Sequence, residues 1–482
     1  MTGVEPTAVT QASYIDGTWR STDDSYRVLD PATDAFVGMA PRATVSDVGS
    51  AVAAAATALP GWASTTLAER CDALARMARA VDAHRAELSK LVVAETGALA
   101  WFAEHVKVAF LHDRLAWHAA AEPSWLESTL TVPMPDGGER ATQVIRQPVG
   151  VVACITPYNF QLPNVAAKMG AALVAGCTVV VKPAPQDPLS TIRLFEIIDG
   201  ILPPGVANLI VSDRVEVSEA LVEHPAIDMV SFTGSTRVGT SIAQATAGQL
   251  KRLLLELGGK SALIVSDDAD VPAAARAAAS TWTVYAGQIC TAPTRVLVHR
   301  AQHQALIDEL RGIADTLVVG DPREPATHVT PLISATHRER VLDHIASGLD
   351  DGALLVTGDA AVPTVGNFVA PTLFDRVQPG MRIAREEIFG PVVCVMPVDS
   401  DEHAIAVAND SPYGLDGYVW AGTAERATAI ARRLRTGHVS VNGAPMNYEA
   451  PFGGFRMSGI GRDRGVAGVH AYTETQSIDL PS

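Results

Sequence analysis

Hydrophobic residues recur at intervals of three and four along the first quarter of the chain, which is the pattern of amphipathic helices. Ala-rich segments with Leu, Met and Val at this spacing cover about 45–59 and 67–95. Pro60 and Gly61 lie between these segments and predict a break. The same periodicity predicts a third helical stretch over 105–121. This part of the chain is therefore expected to be helical.

Polar and apolar residues alternate over 128–148, where the pattern predicts a projecting β-hairpin. The segments TLTVPMP and ATQVIRQP flank the turn signal of Asp136, Gly137 and Gly138.

After the hairpin, short apolar segments rich in β-branched residues alternate with helical segments. The predicted strands are PVGVVACITP, CTVVVKP, GVANLIV, MVSFTG and RLLLELGG, and the pattern restarts with SALIVS, TRVLVH, FVAPTLF, GPVVCVMPV and HVSVNG. Strands that are apolar throughout are typical of parallel sheets covered by helices on both faces. The sequence therefore predicts an α/β fold with two doubly wound, Rossmann-like units. Such sheets bind ligands beyond the carboxyl ends of their strands.

Composition excludes several classes of partner. The 482 residues carry a net charge of -16, which disfavours nucleic acid and anionic membrane surfaces. The apolar runs are too short to span a bilayer, and no secretory signal is visible, so we expect a cytoplasmic protein. The five cysteines are scattered and never in a CxxC spacing, which indicates reduced thiols and no metal site.

Three polar residues are candidates for catalysis. Cys290, in AGQICTAPTR, is either a packing residue or a nucleophile. Glu256 lies in KRLLLELGGK, where burial should raise its pKa toward that of a general base, unless it pairs with Lys251 or Lys260. Asn159, in ITPYNFQLP, can donate to an oxyanion or simply form a turn.

A second set of residues suggests a nucleotide site. The segment from Gly234 to Gly239 follows a predicted strand and opens a helix. It is not a P-loop, because Thr240 replaces the lysine, and it lacks the middle glycine of the dinucleotide fingerprint. Its amides can still bind a pyrophosphate, unless Ser235 only caps the helix. Lys182 ends the run TVVVK, where it can bind ribose or phosphate or be solvated.

Together these motifs resemble the aldehyde dehydrogenase superfamily over essentially the whole chain. In order they are PYNF, KPA, FTGSTRVG, LELGGK, GQICT, EEIFGP, PFGGFRMSGIGR and YTETQS. The pair LELGGK and GQICT, with Glu256 and Cys290 34 residues apart, is the most specific. The resemblance implies a homodimer or homotetramer with a cofactor-binding domain (1–127 and 149–257), a catalytic domain (258–440) and an oligomerisation arm (128–148 and 468–482).

The resemblance also implies a mechanism. Cys290 would attack an aldehyde, Asn159 would stabilise the oxyanion, and hydride would pass to NAD to leave a thioester. Glu256 would activate the water that hydrolyses the thioester to a free acid, since members that transfer the acyl group to coenzyme A typically lack this glutamate. The residues expected around the cofactor are Thr156, Pro157, Tyr158, Lys182, Pro185, Gly234, Ser235, Gly239, Leu257, Glu387 and Phe389. Of these, Lys182 and Glu387 would bind ribose, with Phe389 beside the nicotinamide.

This sequence departs from the family pattern at a few positions. Pro185 stands where many members have an acidic residue that disfavours a 2′-phosphate, so NADP is possible, although no neighbouring Arg or Lys favours it over NAD. Tyr158 replaces a tryptophan common in relatives. Asn164 and Ala167 are small at positions that line the substrate tunnel of relatives. We therefore expect a bulky or extended apolar aldehyde, with no cation in these segments to indicate an anionic substrate.

Two other functions remain open on the sequence. One is an ester hydrolase that uses Cys290 and Glu256 without redox chemistry, and the other is a semialdehyde-specific dehydrogenase. A non-catalytic descendant of the family should have lost Cys290, Glu256 or Asn159, and all three are present.

Overall fold

The computed structural model describes residues 12–135 and 137–481, so the predicted turn residue Asp136 lies outside the described residues. The strands are β1 (Ala12–Ile15), β2 (Thr18–Ser21), β3 (Ser25–Leu29), β4 (Phe36–Pro41), β5 (Glu127–Pro133), β6 (Glu139–Pro148), β7 (Val151–Ile155), β8 (Thr178–Lys182), β9 (Ala207–Leu209), β10 (Met229–Thr233), β11 (Arg252–Glu256), β12 (Ala262–Val265), β13 (Arg295–His299), β14 (Leu354–Thr357), β15 (Thr372–Asp375), β16 (Val392–Val398), β17 (Gly417–Trp420), β18 (Ser440–Val441), β19 (Gly459–Ile460) and β20 (Thr473–Asp479).

The helices connect and cover these strands. They are α1 (Val45–Ala63), α2 (Leu67–Ala83), α3 (Arg85–Thr96), α4 (Ala100–Phe102), α5 (Ala109–Ala119), α6 (Gln161–Ala175), α7 (Leu189–Ile198), α8 (Val215–Glu223), α9 (Thr236–Thr246), α10 (Val271–Thr283), α11 (His303–Ala314), α12 (Ala335–Asp350), α13 (Arg382–Arg385), α14 (Asp401–Asn409), α15 (Ala424–Ala431) and α16 (Gly465–His470). Within the described residues, no helix is long and apolar enough to cross a membrane.

The first sheet has eight strands in the order β19-β11-β10-β7-β8-β9-β1-β2, and its five central strands are parallel. Alternate residues of β7 enter two different cores. Val152 and Cys154 pack with the helices on one face, whereas Val151 and Ala153 pack with α1, α8 and α9 on the other. The apolar strands are thus buried on both faces, which confirms the predicted doubly wound unit.

The second sheet has seven strands in the order β14-β15-β16-β13-β12-β17-β18, and all its pairs are parallel except β14 with β15. Its core includes the inner faces of α10, α11, α14 and α15. The sequence pattern did not reveal β17, since its four residues alternate between buried and half-buried and follow the polar Asp416.

The predicted hairpin is confirmed as β5 and β6. Strand β20 pairs with β6 from Thr473 opposite Pro148 to Asp479 opposite Thr142, so hairpin and C-terminal strand form one three-stranded sheet within the chain. Strand β20 begins at Thr473. The preceding Val469 and Tyr472 belong to the first core.

The N-terminal helices differ from the prediction at their ends. Helix α1 continues through Pro60 and Gly61, so the predicted break there is wrong. The break follows at 64–66, where Thr66 and Glu69 form a capping box that starts α2. The single helix predicted over 67–95 is two helices that meet at His84. Periodicity misses a break of one residue, because the apolar face continues across it.

Candidate functional site

Three of four neighbouring strands of the first sheet end in polar residues, and the fourth, β7, ends in Ile155 just before Thr156. Ile155 is paired with Lys182 at the ends of β7 and β8, and Thr233 is paired with Glu256 at the ends of β10 and β11. The N–H of Thr156 donates to the carbonyl of Lys182 at 3.1 Å. The parallel sheet therefore gathers Thr156, Lys182, Thr233 and Glu256 at its carboxyl edge.

The side chains at this edge lack partners. In the described chain, Thr156 Oγ1, Thr233 Oγ1 and both carboxyl oxygens of Glu256 are buried without a hydrogen bond. Lys182 Nζ reaches only the carbonyl of Pro183, at 3.3 Å. Buried polar groups are normally satisfied, so this set is arranged for a ligand that supplies the missing partners.

The Gly234–Gly239 segment begins α9, as predicted. Ser235 caps the helix by accepting from the N–H of Val238 at 3.4 Å, and its side chain is exposed. A Cβ on Gly239 would lie 2.5 Å from Leu257, so glycine allows α9 to pack closely on the sheet. Capping and packing account for these residues, while the start of α9 stays exposed beside the carboxyl edge.

Cys290 lies in the loop between α10 and β13. Gly287 has a φ of +73°, and a Cβ there would lie 2.2 Å from the carbonyl of Gly390, so this turn requires glycine. Asn159 is buried, and its Nδ2 donates to the carbonyl of Gln288 at 2.9 Å. The predicted oxyanion donor, Asn159, thus contacts the loop that carries the predicted nucleophile, Cys290. Asn159 itself follows β7 of the first sheet.

The Cys290 loop precedes β13, so it lies at the amino edge of the second sheet. A Cβ on Gly259 would lie 2.7 Å from the carbonyl of Cys290, which places the loop against the segment that follows Glu256. The N–H of Gly259 donates to Glu387 Oε1 at 3.0 Å. The site therefore lies between the carboxyl edge of one sheet and the amino edge of the other.

Burial favours the neutral forms of the acidic groups here. Burial, with smaller contributions from Glu387 and Glu256, raises the pKa of the Cys290 thiol to about 12. The pKa of Glu256 is raised well above its ordinary value, first by burial and then by Asp463. Burial also raises the pKa of Glu387 to about 7 and lowers that of Lys182 to about 8. At neutral pH burial thus favours the uncharged Cys290 thiol and Glu256 carboxyl, while Lys182 keeps most of its positive charge.

The alternative ion pair of Glu256 is wrong. Lys251 Nζ donates to the carbonyls of Val222 and His224, at 2.8 and 2.6 Å. Lys260 Nζ has no hydrogen-bond partner within the described chain. The Glu256 carboxyl is therefore free to act on a ligand.

Aromatic residues form one wall near Glu387. The rings of Tyr158 and Phe389 meet edge to face with centroids 6.0 Å apart, and the His337 ring lies 6.0 Å from Phe389. His337 Nε2 bonds the carbonyl of Phe389 at 2.7 Å, and burial lowers the His337 pKa to about 4. Sequence reasoning identified Tyr158 and Phe389 but missed His337, whose place depends on helix α12.

Two further charged residues near Glu256, Lys168 and Asp463, were also missed. Lys168 is fully buried, and its Nζ donates to Ser231 Oγ at 3.1 Å. Burial lowers the pKa of Lys168, while Asp463 and Glu256 oppose that change. A lone lysine in the apolar run NVAAKMGAAL was the available signal.

Pro185, one of the residues expected around the cofactor, lies half-buried in the loop after β8.

Comparison with known proteins gives one consistent result. A sequence model of the aldehyde dehydrogenase family matches residues 19–478. The chain is 40% identical over 478 residues to a 3-succinoylsemialdehyde-pyridine dehydrogenase of a Pseudomonas species, covering 96% of this chain and 97% of the relative. It is 38% identical over 475 residues to geranial dehydrogenase of Castellaniella defragrans, covering 98% of each. Phenylacetaldehyde dehydrogenase of Pseudomonas fluorescens is 37% identical, with 96% of this chain and 94% of the relative covered.

Solved structures agree with these sequence matches. A point mutant of betaine aldehyde dehydrogenase from Staphylococcus aureus, in complex with NAD+, has a TM-score of 0.94 at 31% identity and covers 98% of each chain. An aldehyde dehydrogenase from Bacillus cereus, also with NAD+, has a TM-score of 0.92 at 36% identity, covering 97% of this chain and 96% of that one.

Proposed function

The chain belongs to the aldehyde dehydrogenase family, and we propose that it oxidises an aldehyde to the carboxylic acid through a thioester on Cys290. The observation that carries this mechanism is the convergence of Cys290, Asn159 and Glu256 between the two sheets. A thiol nucleophile, an amide donor and a carboxyl with unpartnered oxygens are the groups that two-step acyl chemistry requires.

In the first step the Cys290 thiol proton passes to solvent as the sulfur adds to the aldehyde carbon, because the thiolate is the nucleophile. Asn159 uses one N–H of its amide to hold the Gln288 carbonyl. Its second N–H and the backbone N–H of Cys290 stabilise the oxyanion, at about 3 to 4 kcal/mol per donor. Asn159 thus both fixes the loop and stabilises the transition state.

NAD, when bound, would supply the redox chemistry of the reaction as a hydride acceptor. The unpartnered Thr156 hydroxyl, the Lys182 ammonium with its single carbonyl partner and the exposed start of α9 at Ser235 fit such a nucleotide. Glu387, Phe389 and Tyr158 would hold the nicotinamide end of the cofactor. We extend the proposal to NADP, because Pro185 presents no carboxylate to a 2′-phosphate.

Hydrolysis of the thioester is assigned to Glu256. Its raised pKa makes the ionised carboxylate a stronger base, and it takes a proton from water as the hydroxyl oxygen bonds to the acyl carbon. The carbon–sulfur bond then breaks, the Cys290 sulfur regains a proton and the acid departs. The positive charge of Lys168 favours the ionised Glu256.

The proposed substrate is a bulky or extended aldehyde. Asn164 and Ala167 are small residues on α6, one turn apart, at the positions that line the substrate tunnel of relatives. The relatives named for geranial, phenylacetaldehyde and a pyridine semialdehyde act on extended or aromatic compounds. These observations support an apolar spacer next to the reacting carbonyl.

The test is a panel of aldehydes with NAD and NADP, followed by absorbance at 340 nm. Cys290→Ala should abolish turnover. Glu256→Gln should stall after acylation and show a Cys290 acyl adduct by mass spectrometry. Cys290-dependent ester hydrolysis with no reduced cofactor from any aldehyde would instead support the hydrolase alternative. Normal turnover in Glu256→Gln would contradict the assigned hydrolysis step.

A further inference from the structure

A cavity of about 170 Å³ lies between helices α5 and α6 and the start of α16. Three aromatic side chains, those of Phe110, Trp117 and Tyr448, line it together with two arginines, Arg114 and Arg464. None of the groups assigned above to catalysis or cofactor binding lines this cavity.

Both arginines lack a carboxylate partner. Among the described residues, neither Arg114 nor Arg464 forms an ion pair, and the Arg114 side chain forms no hydrogen bond. The Arg464 guanidinium stacks 4.2 Å from the centroid of the Phe452 ring, and its Nη1 lies 2.7 Å from Met446 Sδ, a weak acceptor. An arginine that stacks on a ring leaves its N–H edge free for an anion.

The Arg464 backbone is also strained. Its φ is +64° and its ψ 161°, a region that glycine occupies readily and other residues rarely do. The conformation is fixed by hydrogen bonds on both sides: the Arg464 N–H donates to Asp463, and its carbonyl accepts from Gly468. The protein thus holds an arginine in a conformation that favours glycine, and it does so at the wall of a cavity.

The cavity adjoins the catalytic residues. Phe452 and Asp463 exchange two backbone hydrogen bonds of 2.7 Å, which fixes the segment that carries Arg464. The residue after Phe452 is Gly453, where a Cβ would lie 2.6 Å from Glu256 Oε1. Helix α6 contributes Ala171, one turn beyond Ala167 on the same face. A substrate chain that extends from the reacting carbonyl past Ala167 and Ala171 would therefore lead toward Arg464.

The charges that face the arginines leave an excess of positive charge inside the cavity. Asp463 is the buried carboxylate there, and three cations face it: Lys168, Arg114 and Arg464 all act to lower its pKa. Asp113 is exposed and bonds His112 at 2.9 Å, Glu449 is exposed at the rim, and burial lowers the pKa of His118 to about 4, so that it is neutral. Burial, and then repulsion from Arg464, lower the pKa of Arg114 to about 10.

We propose that this cavity is a carboxylate subsite, in which Arg114 and Arg464 bind the distal carboxylate of an aldehyde substrate with an aromatic or extended spacer. The inference rests on the proposed aldehyde oxidation and narrows its substrate class to semialdehydes. Guanidinium groups bind carboxylates through paired, charge-assisted hydrogen bonds, and the aromatic lining suits a hydrocarbon spacer. No sequence motif reveals this subsite, since the two arginines are 350 residues apart.

The kinetic test compares matched substrates that differ only in charge. The ratio of kcat/KM for 4-carboxybenzaldehyde to that for 4-methylbenzaldehyde should exceed about 10 in the unmodified enzyme, and the same preference should hold for 6-oxohexanoate over hexanal. Arg464→Leu and Arg114→Leu should each reduce this ratio at least about tenfold, by loss of a charge-assisted hydrogen bond. Arg464→Lys should retain part of the preference, and the exposed Arg79→Leu should retain all of it.

Binding can be measured without turnover. In Cys290→Ala, benzoate and terephthalate should quench tryptophan fluorescence saturably, the signal should disappear in Trp117→Phe, and Arg464→Leu should weaken the binding. Equal kcat/KM for charged and uncharged aldehydes, or an unchanged ratio in both leucine variants, would overturn the substrate assignment even if free benzoate binds. Benzoate binding in an enzyme that oxidises no aldehyde would refute the proposed function while leaving an anion site in the cavity.

Discussion

The carboxyl edges of the two sheets have the same parallel architecture and opposite chemistry. On the first sheet this edge carries Thr156, Thr233 and Glu256, all buried and without partners in the described chain. On the second sheet, charged residues beyond the strand ends pair with one another. Arg426, for example, contacts Asp267, Asp268 and Asp401 at 2.7 to 2.9 Å.

The second sheet places its unsatisfied groups at the opposite edge. Lys260 Nζ, Ser261 Oγ and Thr294 Oγ1 are buried without partners before β12 and β13, in the same region as the Cys290 loop. The rule that ligands bind at the carboxyl ends of parallel strands thus describes only the first sheet. The second sheet contributes its amino edge, because that is the edge that faces the first. Unsatisfied buried groups indicate which edge binds a ligand.

The largest effect should follow removal of the Asn159 amide, which follows a strand of the first sheet and donates to the Cys290 loop of the second. Asn159→Ala should lower kcat by about a hundredfold to a thousandfold, since an oxyanion donor is lost. Stopped-flow measurement of reduced cofactor would show the loss in the first turnover. Asn409, which holds Arg433 and Arg435 through its side chain at 3.0 and 2.7 Å, is the matched control, and Asn409→Ala should lower stability with little change in kcat. Equal kinetics in both variants would contradict the assigned donor.

The amino edge of the second sheet can be probed through the pH dependence of Cys290. Because the thiol pKa is raised to about 12, the thiolate is a small fraction at neutral pH and grows with pH. Alkylation of Cys290 by iodoacetamide should accelerate about tenfold per pH unit between pH 7 and 10, measured by peptide mass spectrometry. Glu387→Gln removes a carboxyl that raises this pKa and should speed alkylation, whereas Glu386→Gln should leave the rate unchanged. A rate that levels off below pH 9 would be inconsistent with the raised pKa.

The contrast between the carboxyl edges can be tested with one cation from each. Lys182→Met should raise KM for NAD about tenfold or more, because hydrogen bonds from a charged group are lost. It should not lower stability much, since the buried ammonium has only the Pro183 carbonyl as a partner. Arg426→Met should do the reverse, lowering the melting temperature and leaving KM unchanged. Thermal unfolding and steady-state kinetics on both variants test this difference. Equal changes in KM and in melting temperature for the two variants would contradict it.

The smallest effect is expected at the loop after β8. Pro185→Glu should lower kcat/KM with NADP relative to NAD by about fivefold, as expected for a new carboxylate near a phosphate at a solvated position. Gln186→Glu adds the same charge at the adjacent exposed residue and should change the ratio less. An unchanged ratio in Pro185→Glu would mean that position 185 does not face the adenosine ribose.

Much of the fold and part of the site could be predicted from the sequence. The apolar strands from Val151 onward predicted two doubly wound units, and LELGGK with GQICT identified Glu256 and Cys290. The break predicted at Pro60 was wrong, and strand β17 was missed. Both errors concern short segments, a single proline and a strand of four residues. Such segments are too short for hydrophobic periodicity to show whether a helix breaks or a strand forms.

By itself, the sequence determined which segments are buried on both faces and which residue types are available for acyl chemistry, because local periodicity and motif spacing encode both. Tertiary structure alone decided which sheet edges meet, that Glu256 is not paired with a lysine, and that Arg114 and Arg464 line one cavity. These outcomes depend on how the two sheets and their covering helices pack against each other. The physical reason is that burial and missing partners are properties of three-dimensional contact, which sequence neighbours do not specify.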